Sequence, residues 1–564
     1  MRSLPVKIWR RLRKPSESPA KPSPDWASLL KTDSQLWSSA VNKAANGPHI
    51  LIATSAGGFL PGLITESTLA VALTLRGAQV HVMLCDELLP ACIQATVHSS
   101  NPKQFAEAGP QATLCQQCFA PGYATYLPLG LKVHRYGEFI TPEERQMAAA
   151  LSATIAYCDI GNYRLDDLAV GEHALAGTLR YFGRGNLEGE PEAENILRRY
   201  LNASLLTTYA TQRLLQTYKF EAACFHHGIY VPQGLIGEVA RQQQVRVANW
   251  NPAYRKHCFI FSHHDTYHHT LLTEQTDVWE DMDWIPSMED QIMDYLKSRW
   301  SGTKDWIWFH EKPEENLSVI AAELGVDFSR PCIGMLTNVM WDAQLHYRAN
   351  AFPNMLEWVL QTIRYFAKRT DLQLIIRIHP AEIRGTLPSR QPLTEEIKRA
   401  FPVLPPNVFV IPPESQVSTY AAMLHCNAVI IYGTKTGVEL SSLGIPTIVA
   451  GEAWIRNKGI TLDASSSDEY FQILDGLPFD QKMSPELIQR ARKYAYHFFF
   501  RRMIPLPFMK ESKGAAPYEL DLDNISQLLP GAHPGLDVIC DGILNGSEFV
   551  YRAETIGQPE TVLA

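Results

Sequence analysis

The strongest constraint on the fold is an alternation of short apolar runs with helical segments in the second half of the chain. Each apolar run has the length of a buried strand and is followed by a turn and a helical stretch. The predicted strands lie at 332–336, 374–378, 408–411, 428–432 and 447–450. The predicted helices between them lie at 352–367, 394–400, 417–424 and 437–443. This alternation predicts a parallel sheet with helices on both faces.

The first half of the chain opens with the same pattern. An apolar run at 50–54 leads into a small-residue turn at 55–58, a helical stretch at 63–75 and a second apolar run at 80–84. Strand, glycine turn, helix and strand in this order are typical of a doubly wound parallel sheet. A chain of 564 residues is long enough for two such units. We therefore predict an α/β fold of two Rossmann-like doubly wound domains that face each other across a cleft.

Composition and charge exclude several classes of protein. Hydrophobic residues make up 46% of the chain and charged residues 20%, which is ordinary globular usage and argues against an extended disordered chain. A net charge of −8 argues against a broad basic face for nucleic acid, so no nucleic-acid partner is expected. Because no run of about 20 uninterrupted apolar residues occurs, neither a spanning helix nor a secretory signal is predicted. We expect a cytoplasmic protein.

Positive charge is concentrated at the amino terminus. Residues 1–21 hold seven basic side chains and one acidic side chain, a net charge of +6, so the remainder carries −14. Apolar residues, among them Leu4, Ile8 and Trp9, are interspersed with these charges. The segment is either a short amphipathic helix on an anionic membrane surface or a disordered basic tail before the proline-rich linker 15–24. The first interpretation makes the chain a peripheral protein at the inner face of a membrane.

Deletion of residues 2–14 tests the membrane interpretation. We expect the full chain to sediment with vesicles that contain anionic lipid and the deleted chain to stay in the supernatant, because the deletion removes most of the basic charge and the apolar residues together. Vesicles of neutral lipid are the control. Equal sedimentation of the two chains would contradict a membrane role for this segment.

Polar residues collect just after two of the predicted strands in the second half. Arg377 lies near the end of one strand and His379 follows it. The next such group is the turn at 433–437, which opens a helix and supplies Thr434, Lys435, Thr436, Gly437 and, one turn along, Glu439. A helix start with small residues, hydroxyls and a cation favours a phosphate, and Glu439 can accept hydrogen bonds from ribose hydroxyls. The alternatives are a capped helix start with a solvated lysine and a histidine that only ends its strand.

Two further strand ends contribute to the same edge of the sheet. Asn338 and Asp342 follow the strand at 332–336 and can bind hydroxyls of a donor or an acceptor, while Trp341 either stacks on a ring or fills the core. Glu452 follows the strand at 447–450 and is predicted to be one of the donor-binding residues of this rim. Arg456 and Lys458 come shortly after it and are predicted to add positive charge to the same rim.

These segments resemble a known family. The motifs are Arg377-Ile-His-Pro380, Tyr432-Gly-Thr-Lys-Thr-Gly-Val-Glu439 and Leu443-Gly-Ile-Pro446. They are similar to the C-terminal half of bacterial capsule polysaccharide biosynthesis proteins, which are GT-B glycosyltransferases that include Kdo transferases. A looser similarity extends to nucleotide-sugar 2-epimerases and teichoic-acid polymerases. The resemblance is strongest over residues 330–510.

The resemblance implies a GT-B architecture and transfer of a sugar from a CMP- or NDP-sugar donor to a surface polysaccharide or glycolipid acceptor. It implies that His379, Thr434 and Thr436 hold the donor phosphate. Lys435 departs from the serine-rich turn that is frequent in relatives, which leaves open whether the donor carries one phosphate or two. A nucleotide-sugar epimerase or hydrolase of the same fold, and a non-catalytic assembly protein of polysaccharide synthesis, remain alternatives.

Glycosyl transfer also needs a base near the acceptor hydroxyl, and no catalytic metal is expected, since basic groups and the helix start can stabilise the leaving phosphate. The candidates on the N-terminal wall are His227, after a predicted strand, Glu66, near the glycine turn, and Asp265. His227 and Glu66 are preferred. For each of them an ordinary packing or capping role is the alternative.

Four of the ten cysteines fall in one short stretch: Cys85, Cys92, Cys115 and Cys118, with the spacing C-x6-C-x22-C-x2-C. In an intracellular chain this pattern favours a structural four-thiolate zinc site over disulfides. An iron–sulfur cluster and unligated thiols are the alternatives. The histidine pairs at 263–264 and 268–269 are interpreted as a polar loop at the cleft.

The predicted domains follow from these assignments. They are a basic tail and linker at 1–45, an N-terminal acceptor domain at 46–270 with the four-cysteine loop at 85–130, a tryptophan-rich helical connector at 271–328, a nucleotide-sugar-binding domain at 329–485, a crossing helix at 486–530 and a C-terminal tail at 531–564.

Overall fold

The computed structural model describes residues 24–306, 313–343, 350–385, 387–479, 482–514 and 516–556. The proposed membrane-binding segment at 2–14 lies outside these residues, as does Trp308 of the predicted connector. Among the described helices, none combines the length and the apolar character needed to cross a bilayer.

The described elements alternate strands and helices in both halves of the chain. The strands are β1 (His49–Ser55), β2 (Gln79–Leu84), β3 (Lys132–Arg135), β4 (Phe220–His226), β5 (Arg246–Pro252), β6 (Cys258–His263), β7 (Cys332–Leu336), β8 (Gln373–Arg377), β9 (Val408–Ile411), β10 (Ala428–Ile431), β11 (Thr447–Val449), β12 (Leu462–Asp463), β13 (Ile504–Pro505), β14 (Met509–Glu511) and β15 (Tyr518–Leu520). The α-helices are α1 (Trp26–Thr32), α2 (Ser34–Ala44), α3 (Leu60–Leu75), α4 (Pro102–Ala108), α5 (Ala112–Tyr126), α6 (Pro142–Thr154), α7 (Val170–Phe182), α8 (Ala193–Thr217), α9 (Gln233–Gln242), α10 (Tyr267–Thr273), α11 (Asp277–Glu280), α12 (Pro286–Ser301), α13 (Leu317–Leu324), α14 (Met355–Phe366), α15 (Ala381–Arg384), α16 (Leu393–Ala400), α17 (Thr419–Met423), α18 (Thr436–Ser442), α19 (Ser467–Asp475), α20 (Pro485–Tyr496) and α21 (Pro534–Asn545). Short 3₁₀ turns lie at Leu127–Leu129, Tyr136–Phe139, Tyr157–Asn162 and Ile525–Leu528, and a π turn at His497–Arg501 follows α20.

The second half folds as the alternation predicts. Its sheet has the order β12-β11-β10-β7-β8-β9, and every neighbouring pair is parallel. The strands β7, β8 and β10 are buried along their whole length, because helices cover both faces of a parallel sheet.

The first half forms a seven-stranded sheet in the order β13-β6-β5-β4-β1-β2-β3. The strands from β5 to β3 in this order are parallel, whereas β6 and β13 are antiparallel additions at one edge. The predicted α/β fold class is confirmed: each half of the chain forms a Rossmann-like doubly wound domain.

The ends of the chain are more ordered than the sequence indicated. Within the predicted linker, α1 and α2 pack on the first domain through the buried Trp26 and Trp37. The predicted crossing helix ends at Tyr496, and the chain then reaches the first domain as β13, where proline at 505 and 507 prevents a longer helix. The predicted C-terminal tail contains α21, whose apolar face enters the core of the first domain.

One apolar cluster joins the two domains. It includes Ile260 and Leu271 from the first half and Val438 and Trp454 from the second half. The buried phenylalanines at 498–500 of the π turn belong to the same cluster, as does Trp279 of the connector, whose ring lies 5.3 Å from that of Tyr494. This shared apolar cluster therefore holds the two domains together.

Candidate active site in the interdomain cleft

The two predicted phosphate-binding segments lie at the same edge of the second sheet because they follow the parallel strands β8 and β10, which flank β7. The end of β7 lies between them and binds both. The backbone N–H of His379, after β8, donates to the hydroxyl of Thr337 at 3.2 Å, and the N–H of Gly433, after β10, donates to the side-chain oxygen of Asn338 at 3.2 Å. Sequence reasoning missed Thr337 and expected Asn338 to bind a ligand directly. In the structure both residues fix the shape of the site.

The ring of His379 is held in one tautomer. Its Nδ1 accepts a hydrogen bond from the backbone N–H of Ala381 at 3.1 Å. Burial, together with the positive charges of Lys435 and Arg377, lowers the pKa of His379 to about 4, so the ring is neutral at pH 7. A neutral ring that accepts at Nδ1 carries its proton on Nε2. His379 is therefore a hydrogen-bond donor in a positively charged environment.

The glycine turn is closed by its own hydroxyls. The Oγ1 of Thr434 accepts from the backbone N–H of Thr436 at 3.3 Å and donates to the hydroxyl oxygen of Thr436 at 3.2 Å. Gly437 is buried, and a Cβ there would lie 2.5 Å from the side chain of Ile431 on β10. Gly437 thus allows α18 to pack on the sheet, and the partly exposed Gly433 and Thr436 form the open part of the turn.

Lys435 and Glu439 form a buried ion cluster beneath the turn. Glu439 is 1% exposed and accepts from Lys435 Nζ at 2.8 Å, from Arg299 Nε at 2.9 Å and from the hydroxyl of Tyr420. Burial opposes ionisation of Glu439, but Arg299 and Lys435 lower its pKa to about 2. Both carboxylate oxygens already have partners inside the protein, so this arrangement does not present Glu439 to a ribose, in contrast to the expectation from sequence.

Lys435 is also fixed from the opposite domain. Its ammonium lies 4.7 Å from the centre of the ring of Tyr254, which follows β5. The ammonium of Lys435 is therefore held between Glu439 and Tyr254, and its positive charge lies close to the turn at 433–437.

Arg377 stabilises the site through hydrogen bonds within the second domain. Its guanidinium is 2% exposed and donates to the carbonyls of Pro412 at 2.7 Å and Ser415 at 3.4 Å and to Thr419 Oγ1 at 3.3 Å. These bonds hold the loop after β9 and place a positive charge near His379.

The prediction that Arg456 and Lys458 line the cleft rim is wrong. Both residues are buried, and their side chains bind groups inside the protein. Arg456 donates to Ser465 Oγ at 3.0 Å, and Lys458 donates to the carbonyl of Glu274 at 2.7 Å, just beyond the last residue of α10. The lysine thus fastens the second domain to the first.

His227 lies at the end of β4 in a sharp turn. Its φ is 62° and that of the following Gly228 is 74°, a left-handed conformation that is uncommon for residues other than glycine and is concentrated at functional sites. Its backbone N–H donates to the carbonyl of Trp250 at 2.9 Å. Its Nδ1 is buried and has no hydrogen-bond partner among the described residues. Burial, with His226 and His268 nearby, holds the pKa of His227 well below its usual range. A neutral imidazole of this kind can accept a proton.

Glu66 is buried close to the residues that surround His227. It belongs to α3, is 1% exposed and accepts a hydrogen bond from the indole N–H of Trp250 at 3.0 Å. Burial raises the pKa of its carboxyl to about 7. The ring of Trp250 lies 4.9 Å from that of His226, the neighbour of His227. Glu66 therefore stabilises the residues beside His227 through Trp250. Its burial gives it no direct contact with an acceptor, in contrast to the expectation from sequence.

Two carboxylates predicted to bind the donor contact the first domain. The hydroxyl of Tyr230, after β4, donates to Asp342 at 3.1 Å and accepts from the N–H of Ala343 at 2.9 Å. His269 lies 3.6 Å from Glu452 across the cleft, and 3.0 Å from Asp265.

Of the two histidine pairs predicted at the cleft, the pair at 268–269 is found there. The ring of His268 lies 6.2 Å from that of His227 and 5.4 Å from that of Trp454 in the second domain. The strand ends of both domains therefore meet around His227. Tyr230 and Trp454, two of the residues that make this junction, carried no signal in the sequence that distinguished them from core aromatics. Trp341 is buried.

The four cysteines of the predicted metal site also come together. Cys85, Cys92, Cys115 and Cys118 line one cavity beside the end of β1. They lie on the first domain, close to the turn that follows this strand.

No known protein family matches the chain, and no curated protein sequence matches it. Among solved structures, the KpsC beta-Kdo 2,4-transferase of Thermosulfurimonas dismutans is similar, with a TM-score of 0.32, 12% identity and coverage of 55% of this chain and 87% of that chain. A UDP-GlcNAc 2-epimerase from Neisseria meningitidis bound to UDP-GlcNAc has a TM-score of 0.25, 12% identity and coverage of 79% and 94%. The spinosyn rhamnosyltransferase SpnG has a TM-score of 0.23, 10% identity and coverage of 80% and 96%. These values are too low to assign a function, which depends on the geometry of the site.

Proposed function

We propose that the chain is a GT-B glycosyltransferase that moves a sugar from a nucleotide-sugar donor to a hydroxyl of a glycan or glycolipid. One observation carries this proposal. The residues after β7 bind both the segment of His379, a neutral histidine with its proton on Nε2, and the hydroxyl-rich turn at 433–437. The contact between Tyr230 and Asp342 then brings this edge of the second sheet against the part of the first domain that holds His227.

The second domain would bind the donor phosphate. Phosphate oxygens can accept hydrogen bonds from His379 Nε2–H, from the hydroxyl of Thr436 and from the backbone N–H groups of the turn. Lys435 and Arg377 add positive charge close to these donors. These groups stabilise the negative charge that develops on the nucleotide as its bond to the sugar breaks. Because they are held by hydrogen bonds within the protein, little reorganisation is needed during the reaction.

The first domain would activate the acceptor. His227 is neutral and partly exposed, so it can take the proton of an acceptor hydroxyl while the acceptor oxygen forms its bond to the sugar. The bond between the sugar and the nucleotide phosphate breaks in the same reaction, and the nucleotide leaves with the electron pair. An epimerase or hydrolase would use the donor half alone and would not depend on an acceptor glycan.

A ligand screen tests the donor half. CMP-, UDP- and GDP-sugars are compared for their effect on the thermal unfolding temperature, since a ligand at 100 times its Kd adds about 2.7 kcal/mol to the free energy of unfolding. We expect one class to stabilise the chain and its nucleotide to be released only when an acceptor glycan is added. Release without any acceptor would favour hydrolysis, and a change of the free sugar nucleotide would favour epimerisation.

The substitution His379→Ala should weaken binding of the stabilising donor about 10- to 100-fold, because a hydrogen bond to a charged phosphate contributes about 1.5–3 kcal/mol. The measurement is calorimetric titration with the donor found in the screen. His425→Ala is the matched control, because His425 is an exposed histidine of the same domain that precedes β10, at the opposite edge of the sheet. Equal donor affinity of the His379 variant and the unmodified chain would refute the assigned phosphate site.

A further inference from the structure

The four clustered cysteines come from two segments of the first domain, the loop after β2 and helix α5. Cys85 follows β2, Cys92 lies in the loop after it, and Cys115 and Cys118 lie three residues apart in the first half of α5, so that both point to the same side of the helix. Together with Ser55, Ala56 and Pro232 they line a cavity of about 20 Å³ at the carboxyl ends of β1 and β4. A cavity of this volume has room for one water molecule or an ion.

Three of the four sulfur atoms accept hydrogen bonds from backbone N–H groups. Gly58 N–H donates to Cys118 Sγ at 3.1 Å. The thiol of Cys85 accepts from the backbone of Leu89, and that of Cys92 accepts from the backbone of Gln94. Backbone donors of this kind lower the pKa of a thiol, but burial outweighs them and raises the pKa of all four cysteines. None of the four is in a disulfide.

The backbone approaches this cluster so closely that only glycine fits. A Cβ at Gly57 would lie 2.6 Å from the carbonyl oxygen of Cys118 and 2.7 Å from the Cα of Gly122. A Cβ at Gly58 would lie 3.2 Å from the Cα of Cys118. The glycine turn after β1 is therefore packed directly on α5 at the position of Cys118. This contact links the cysteines to the wall of the cleft.

We propose that Cys85, Cys92, Cys115 and Cys118 hold a four-thiolate metal centre that ties the loop after β2 and α5 to the turn after β1. Thiolate ligands select soft metals, so the centre is a zinc ion or an iron–sulfur cluster. Among the described residues, no three histidine, cysteine, aspartate or glutamate side chains converge on a position for one ion. A single zinc ion therefore needs the four sulfurs to draw together, and an iron–sulfur cluster, which binds sulfurs that stand further apart, needs the cavity to widen.

The position of the proposed metal centre indicates a structural role. The loop from 85 to 101 contains no regular helix or strand, and it lines the cavity together with Ser55 at the end of β1 and Pro232 after β4. Its two cysteines, Cys85 and Cys92, are partly exposed. With a centre, the loop, α5 and the turn at Gly57 form one unit beside His227, which would keep that side of the cleft in a fixed shape.

Metal analysis of the full chain tests this proposal. The protein is purified without chelators and without oxygen, and zinc, iron and acid-labile sulfide are measured per chain. We expect either about one zinc with sulfur neighbours at about 2.3 Å in X-ray absorption, or iron and sulfide in equal amounts with visible absorption. Less than about half an equivalent of both zinc and iron would overturn the proposal. The measurement requires no substrate, so its result is independent of the proposed glycosyl transfer.

Two cysteine variants locate the metal. Cys118→Ser should reduce the bound metal to background, whereas Cys158→Ser should keep it all, because Cys158 is an exposed cysteine of the same domain outside the cavity. Full metal content in the Cys118 variant would also overturn the proposal. If that variant does not fold, a mercurial thiol reagent is titrated into the unmodified chain. The metal should then be released in step with the modification of four thiols, and release that does not follow the thiols would count against the site.

Discussion

The substitution His227→Asn should lower the rate of sugar transfer about 10²- to 10⁴-fold, the usual contribution of a general base, and leave donor affinity unchanged. Asparagine is chosen because it tolerates the left-handed backbone at this position, where alanine would be strained. The measurement is the single-turnover rate with the donor identified by thermal stabilisation and a glycan acceptor.

The matched control is His264→Asn. His264 is an exposed histidine of the same domain with a φ of 65°, so the same substitution is made at the same backbone conformation. It should transfer sugar at the rate of the unmodified chain. A His227 variant that transfers within about threefold of that rate would remove His227 from the mechanism.

The pH dependence of the rate provides a second measurement of the same role. Because burial and the neighbouring histidines keep the pKa of His227 well below its usual value of 6.5, the ring is neutral at pH 7 and stays neutral into weakly acid solution. The rate should therefore be flat around pH 6.5 and fall only well below it. A fall centred at pH 6.5 would indicate a solvated histidine as the base.

The substitution Glu439→Gln should lower the free energy of unfolding by about 3–5 kcal/mol, because it leaves Arg299 and Lys435 buried without their shared carboxylate. The measurement is equilibrium unfolding in urea. Glu194→Gln is the control, since Glu194 pairs with Arg198 on the surface, where such pairs contribute about 0–1 kcal/mol. A loss below about 1 kcal/mol in the Glu439 variant would show that the cluster does not stabilise the domain.

Acid solution should remove the same contribution from the unmodified chain. The pKa of Glu439 is lowered from 4.5 to about 2, so its stabilisation is complete above pH 4.5 and is lost as the pH falls toward 2. The Glu439 variant should lack this part of the acid dependence. Equal pH dependence of the two proteins would contradict the assignment.

The second sheet was predictable because its strands are short, apolar and buried on both faces, so that each strand end could be read from the sequence. His379 and the turn at 433–437 come together because parallel strands place their carboxyl ends on one edge. β13 was missed because this two-residue strand pairs with a segment more than 200 residues away and has no local signal. The antiparallel β6 was also missed, although it pairs with β5, the strand before it in sequence.

The roles of buried charges could not be predicted. Glu439 lies one turn into a helix that starts at a glycine turn, which in sequence is typical of a ligand-binding position. Its partner Arg299 lies 140 residues earlier in α12, and nothing in the spacing pairs the two. Glu66 lies in a helix that is buried on all sides, and a single carboxylate in such a helix indicates a buried hydrogen bond as readily as a catalytic group.

The return of the chain to its first domain has a consequence for synthesis on the ribosome. The core of that domain contains Ile504, Phe508, Tyr518 and Ile539 beside Ile50 and Val80, so an apolar surface of the first sheet stays uncovered until more than 500 residues have been made. The domain that begins first is therefore completed last. A nascent chain that stops after the second domain would have that domain finished and the core of the first domain still open.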